Sequence, residues 1–244
     1  MPNVYIGTSG WQYSHWRGNF YPSELTQKNW LRYYSTYFDT VEVNSSFYRQ
    51  PRASTFEKWK SEVPAGFTFS IKGNRFITHI KRLKDCKEPL KILFDSTNSL
   101  KLKTNNYHVI LWQLPPSLKK DTERLRAFLE LLPDSFRHAF EFRHETWEDD
   151  EVFEVIEREE RKCAVVLQDW HEWPIFEDPV GKFVYVRFHG KDMLYSSNYS
   201  NYDLEVWAKK MQEWKSKGLD VYAYFNNDAL GYAAPNAQIL KKMV

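Results

Sequence analysis

An α/β fold closed into a (β/α)8 TIM barrel is predicted by three features of this sequence. Eight short runs rich in β-branched and aromatic residues recur along the 244 residues, and helical stripes lie between most of them. No linker, fixed-period repeat or low-complexity tract divides the chain. Strands alternating with helices require parallel pairing, and eight such units without a break fill one closed barrel, a single domain over 1–244. An open doubly wound sheet is the alternative. However, no G-x-G-x-x-G opens a first helix, so dinucleotide binding has little support.

The strands follow in order, each ending in polar residues. Val4-Tyr5-Ile6 runs into Gly7-Thr8-Ser9-Gly10, and Thr40-Val41-Glu42-Val43 into Asn44. Residues 67–71 end at Lys72, 108–112 at Gln113, and 139–142 at Arg143-His144. Residues 164–167 meet Gln168-Asp169, 183–186 meet Arg187-Phe188-His189, and 221–225 meet Asn226-Asn227-Asp228. Among the helices, Leu125, Phe128, Leu129 and Leu132 fall at i, i+3, i+4 and i+7, with Asp121 as cap and Pro133 as stop. Leu204, Trp207, Ala208, Met211 and Trp214 form a second stripe, capped near Asp203 and ended by Gly218. Val152, Val155 and Ile156 mark a third, and Trp30, Tyr33, Tyr34 and Tyr37 a fourth. The stretch 170–182 is short and broken by Pro174 and Pro179, so the barrel is expected to be irregular between strands six and seven.

Composition narrows the function classes. With 42% hydrophobic and 27% charged residues, 9 Gly and 11 Pro, the chain is neither disordered nor collagen-like. No apolar run approaches the roughly 18 residues of a membrane helix, and the start lacks the basic and apolar regions of a secretory signal. Two cysteines, Cys86 and Cys163, make neither a disulfide framework nor a four-thiolate zinc site, which points to a reducing, cytoplasmic compartment. The 34 basic and 32 acidic residues leave a net charge of +2. The pI of 8.3 lies below the value above about 9 that advertises nucleic-acid binding. Aromatic residues reach 17%, with 10 Trp, enough to fill a core or to line a site for flat or sugar-like ligands.

In such barrels the reactive groups sit at the C-terminal ends of strands. Lys72, Arg143 and Arg187, with His189, form a set that would hold phosphate or carboxylate, and Arg187→Ala is expected to leave a folded barrel without anion binding. Asn44, Gln113 and Asn226 would orient hydroxyls, with Asn227 and Trp11 also expected to bind substrate, while Glu42, Glu141 and Asp169 could act as acid/base groups with His189 assisting. No cofactor is called for, although Glu42, Glu141, Asp169 and His189 could supply a divalent metal with mixed ligands. The plain alternative is that Glu141 and the arginines only neutralise one another, since buried charges must be paired. His15, His108, His138 and His171 read as structural or solvated. Trp11, Tyr13, Trp16, Phe20 and Tyr21 could stack on sugar faces, or form a hydrophobic plug over the rim. Gly7-Thr8-Ser9-Gly10 is not a nucleophile elbow, and His144-Glu145 and His171-Glu172 lack the second histidine of a zincin motif.

Several of these strand ends resemble the YecE-like family, DUF72. They are Gly7-Thr8-Ser9-Gly10-Trp11 with Phe20-Tyr21-Pro22, Val41-Glu42-Val43-Asn44 with Phe47-Tyr48, and Thr78-His79. Gln113-Leu114-Pro115-Pro116, Glu141-Phe142-Arg143-His144 with Trp147, Arg187-Phe188-His189-Gly190 and Phe225-Asn226-Asn227-Asp228 complete the set, with Gly231 and Asn236-Ala237 beyond. The resemblance implies a TIM barrel and no settled activity. By fold it is similar to sugar-isomerase and endonuclease IV-like barrels, which use metal clusters rich in histidine and acid. Here the strand ends offer few histidines and several cations, which favours a metal-free anion site. The leading expectation is an enzyme acting on a phosphorylated or otherwise anionic small molecule at the C-terminal mouth. A nucleic-acid binder or metal-dependent phosphodiesterase is the second, and a glycan-binding or glycan-cleaving protein using Glu42 and Glu141 the third. No membrane partner is expected, and nothing in the sequence sets the oligomeric state.

Overall fold

A computed structural model describes residues 2–100, 108–159, 163–170 and 178–244. Eight parallel strands form the barrel: β1 (Val4–Thr8), β2 (Thr40–Val43), β3 (Thr68–Lys72), β4 (Val109–Gln113), β5 (Arg137–Glu141), β6 (Cys163–Gln168), β7 (Val184–Phe188) and β8 (Val221–Phe225). From β2 to β8 each strand pairs with the next in sequence, and β8 pairs with β1. Outside them lie α1 (Trp30–Tyr34), α2 (Ala53–Glu62), α3 (Lys87–Thr97), α4 (Thr122–Leu129), α5 (Asp150–Arg158), α6 (Asn201–Ser216) and α7 (Ala233–Lys241). None of the described helices is long and apolar enough to cross a membrane.

The two-residue period of the strands sorts the side chains into two cores. Ile6, Val41, Val43, Phe69, Ile71, Ile110 and Phe140 face outward into the large cluster beneath the helices. The alternate residues, among them Tyr5, Val109, Leu111, Ala139, Val166, Tyr185, Tyr222 and Tyr224, fill the lumen. Tyrosine hydroxyls need partners there, and they bond across the barrel: Tyr224 with Thr40 at 2.6 Å, and Tyr185 with Ser70 at 2.6 Å. The same alternation carries Glu42, Lys72, Gln113, Glu141 and Arg187 into the uppermost layer of the lumen.

The barrel closes between β1 and β2 with help from a side chain. Gly10 N donates to Glu42 O at 2.8 Å, but lower down the two strands are joined through Tyr34 of α1. Its hydroxyl accepts from Thr8 N at 2.9 Å and donates to Thr40 O at 3.1 Å. Gly7 is required beside it, because a Cβ there would stand 2.4 Å from Thr40 O. Tyr34→Phe is therefore expected to destabilise the fold by about 1–3 kcal/mol, the cost of stranding buried backbone groups. Urea unfolding of the variant measures this, and an unchanged midpoint would show that the seam closes without the hydroxyl.

Of the stretch between β6 and β7 expected to be irregular, residues 170 and 178–182 are described. Residues 171–177, including His171-Glu172 and Pro174, lie outside the described residues. Residues 180–182 then run antiparallel along the start of β6, with Val165 N donating to Val180 O at 2.9 Å and Lys182 N to Cys163 O at 2.8 Å. Gly181 permits the approach: its φ is +114°, and a Cβ would meet Cys163 O at 2.2 Å.

Helices α4 and α5 form where the apolar stripes place them, and Asp121 caps α4 by accepting from Arg124 N. In α6 the cap is Ser200 rather than Asp203; Asp203 is the third residue of the helix and closes a reciprocal capping box. The tyrosine stripe yields only the five residues of α1, preceded by a 3-10 turn. Helices α2, α3 and α7 had no marked stripe in the sequence. Only Phe56 and Trp59 are buried from α2, and α7 buries mainly alanines, so neither presents a row of large apolar residues.

Candidate functional site

The uppermost lumen layer is a lattice of charges. Arg187, at the end of β7, is wholly buried. Its Nε and Nη2 donate to Glu42 Oε2 and Oε1 at 3.0 and 2.8 Å, and its Nη1 donates to Glu141 Oε2 at 2.5 Å. Glu42 also accepts from Tyr185 OH at 2.7 Å and from Ser9 Oγ. Glu141 accepts from Arg143 Nε at 2.6 Å. Burial pushes the Glu141 carboxyl up, but the Arg143 and Arg187 guanidinium groups overcome this and hold it below the usual carboxylate range. The fork geometry of arginine lets one side chain satisfy two carboxylates on strands β2 and β5 together.

Lys72, one strand from Glu42, differs from these groups. It is 8% exposed, its Nζ lies 4.4 Å from the centre of the Phe47 ring, and it makes no hydrogen bond or ion pair among the described residues. Burial and the neighbouring Arg187 charge lower its pKa to about 7. His79, on the single-turn π-helix Phe76–Ile80 that follows β3, is lowered to about 4 by burial and by Lys72 and Arg143. His189 is fully buried, with Nε2 3.9 Å from Glu141 Oε1 and Nδ1 3.2 Å from Asn226 Nδ2. Burial and Arg187 keep its imidazole neutral.

Above this floor opens a cavity of about 350 Å³. Lys72, Gln113, Asn44 and Asn226 reach it from the strand ends, and Tyr13, Tyr48 and Tyr195 wall it. Asn44 Oδ1 is buried there with no hydrogen-bond partner among the described residues. Tyr195 holds a left-handed φ of 63°, a strained conformation for a bulky residue, and its amide donates to His189 O at 2.5 Å. On the rim, His15 Nε2 lies 2.9 Å from Asp228 Oδ2, while Trp16 Nε1 donates to Asp228 Oδ1 at 2.8 Å. His15 therefore belongs to the mouth, contrary to its reading as an uninvolved histidine. Its partner lies 213 residues away, a pairing no local motif could reveal.

The other expected site residues are placed elsewhere. Asp169 accepts from His189 N at 2.8 Å and from Tyr199 OH, so it pins the loop after β7 rather than lining the cavity; burial raises it to about 6. Asn227 is buried and donates to Ser197 O and Asn236 Oδ1, both at 2.9 Å, tying that loop to α7. Trp11 is 3% exposed, set edge-on to Trp59 at 5.1 Å, and borders a smaller adjoining hollow of about 230 Å³. With Tyr21 stacked on Trp30 at 4.8 Å, the first loop is mainly a plug. Arg187 does not line the cavity: it is wholly buried, and all three of its nitrogens donate to Glu42, Glu141 or Ser9 Oγ. Among the described residues no three histidine, cysteine or acidic side chains are grouped to share a metal ion. The guanidinium of Arg187 occupies the space between Glu42 and Glu141 that such an ion would need. A larger hollow, about 710 Å³, lies against α6, but it is flanked by Asp169 and Asp178 on either side of residues 171–177, which lie outside the described residues. The charged strand ends converge on the mouth instead.

Comparison with known proteins agrees with this architecture. The family described as Protein of unknown function DUF72 matches residues 5–244. The UPF0759 protein YunF of Bacillus subtilis is 26% identical, the match covering 99% of this chain and 94% of YunF. The UPF0759 protein YecE of Escherichia coli is 25% identical over 58% of this chain and 48% of its own length. Among solved structures, a DUF72 family protein from Thermotoga maritima superposes with a TM-score of 0.84 at 30% identity, covering 99% of this chain and 98% of that one. A DUF72 family protein from Enterococcus faecalis, at 18% identity and a TM-score of 0.82, shares the fold over 98% of this chain and 94% of its own. With its barrel, its strand-end motifs and these relatives in agreement, the chain belongs to the DUF72 family.

Proposed function

We propose that the barrel mouth binds a small anionic molecule and acts on it as an enzyme, with Lys72 as the cation the ligand meets. The carrying observation is the position of Lys72 in the buried lattice. Arg143 and Arg187 pair with Glu42 and Glu141, whereas Lys72 lies beside them and makes no ion pair with a carboxylate among the described residues. A desolvated cation beside a cavity is stabilised by an entering carboxylate or phosphate, which supplies the missing counter-charge and restores full protonation. Asn44, Gln113 and Asn226 offer neutral donors and acceptors around the same point, and the His15–Asp228 pair offers a proton donor and acceptor on the rim. Arg187 and the two glutamates then serve as the charged floor that orients Lys72 and Arg143, not as direct ligands. The reading is tested with inorganic phosphate and calorimetry. Lys72→Met is expected to weaken phosphate binding by about tenfold or more, the worth of one charge-assisted contact. Unaltered affinity in that variant would overturn it.

A further inference from the structure

We infer that the ε-amino group of Lys72 is a nucleophile that condenses with the carbonyl carbon of an anionic substrate, a 2-oxo acid or an acid bearing an aldehyde, to form an imine. This deepens the anion-site reading and rests on it. A lysine kept for structure reaches solvent or meets a carboxylate. Lys72 meets no carboxylate at ion-pair distance among the described residues and extends no ammonium into bulk solvent: it is 8% exposed, rests against the face of Phe47, and opens only onto the cavity. Six titratable groups act on it from several elements. Glu42 on β2 and Glu141 on β5 favour its charged form, whereas Arg187 on β7 and Arg143 beyond β5 oppose it, with burial the largest influence. His79 and His189 are held neutral and add no charge. The balance leaves a substantial share of free amine near neutral pH, which is the reactive form.

The chemistry balances without an added oxidant or reductant. The nitrogen lone pair attacks the carbonyl carbon, and a nitrogen proton passes through cavity water to the oxygen, giving a carbinolamine. Loss of that oxygen as water leaves the carbon–nitrogen double bond. Its protonated form keeps the positive charge at the position where the lattice carries its unbalanced cation. The carboxylate of a 2-oxo acid, one bond from the imine carbon, then supplies the contacting counter-charge that no side chain among the described residues gives Lys72. Carbonyl and acid thus answer two features of one site.

The test uses the full chain, glyoxylate and cyanoborohydride near neutral pH, followed by peptide mass mapping. The expected result is a single carboxymethyl group on Lys72, formed about tenfold or more faster than on exposed lysines such as Lys58 and Lys217. Lys72→Arg keeps a cation but no nucleophilic amine, so it should retain phosphate binding and lose the adduct. Modification of exposed lysines with Lys72 untouched overturns the inference. Phosphate binding without the adduct sinks the imine alone, the adduct without phosphate binding sinks the anion reading alone, and loss of both sinks the two together.

Discussion

Arg187→Met is expected to cost about 3–5 kcal/mol of folding stability, because it leaves carboxylates buried without their counter-ion. Glu42 and Glu141 are wholly buried, and Arg187 gives two hydrogen bonds to the first and one to the second. After substitution Glu141 keeps Arg143, but Glu42 is left with the hydroxyls of Ser9 and Tyr185. Hydroxyl donors solvate a carboxylate without neutralising it. Arg187→Lys should recover little, since one ammonium cannot span carboxylates on β2 and β5 with three directed donors. A loss of this size is a third or more of the total stability of many domains, so both variants should show sharply lowered urea midpoints. This replaces the expectation that Arg187→Ala would leave the barrel intact and remove only anion binding. A variant within about 1 kcal/mol of the parent would restore Arg187 as a ligand residue and remove it from the floor.

The barrel was legible in the sequence because its strands are short, β-rich and closed by polar residues, and because that pattern repeats eight times. The strand ends were legible for the same reason: period-two alternation carries Glu42, Lys72, Gln113, Glu141 and Arg187 inward together. What alternation does not reveal is depth and pairing. Arg187 and Lys72 look equivalent in sequence, each a cation closing a strand, yet one is enclosed by two carboxylates and the other by none. Asp169 and Asn227 look like mouth residues until the loop 190–199 is seen folding back onto them through Tyr199 and Ser197. The His15–Asp228 pair joins the first loop to the last, so only the closed barrel brings it together. Helix α7 escaped because an alanine face packs closely against β1 and β8 without the large apolar residues that mark a stripe.

Lys72→Met should have the opposite sign to Arg187→Met, and its effect should depend on pH. In the folded chain burial and Arg187 lower the Lys72 pKa to about 7, against an ordinary lysine value of 10.5. Below about pH 7 both folded and unfolded chains carry the proton, so the full penalty of a desolvated ammonium weighs on the native state. Between about 7 and 10.5 the unfolded chain holds a proton that the folded chain has released, so the stability of the parent rises with pH across that window. Replacing the amine with an apolar side chain of similar length removes the penalty. Lys72→Met is thus expected to be more stable than the parent by on the order of a few kcal/mol near pH 6, with the advantage fading toward pH 10. Urea unfolding at a series of pH values measures both the sign and the window. Added phosphate should narrow the gap on the acid side by stabilising only the parent, since a ligand that binds the native state shifts its unfolding by mass action. A variant less stable than the parent at every pH would mean that Lys72 holds the fold, and that the lattice has no unbalanced charge to offer a ligand. The predicted pattern, a native state weakened by one cation at the mouth and held together by another just beneath it, is what separates a site prepared for an anion from a set of ion pairs that only neutralise each other.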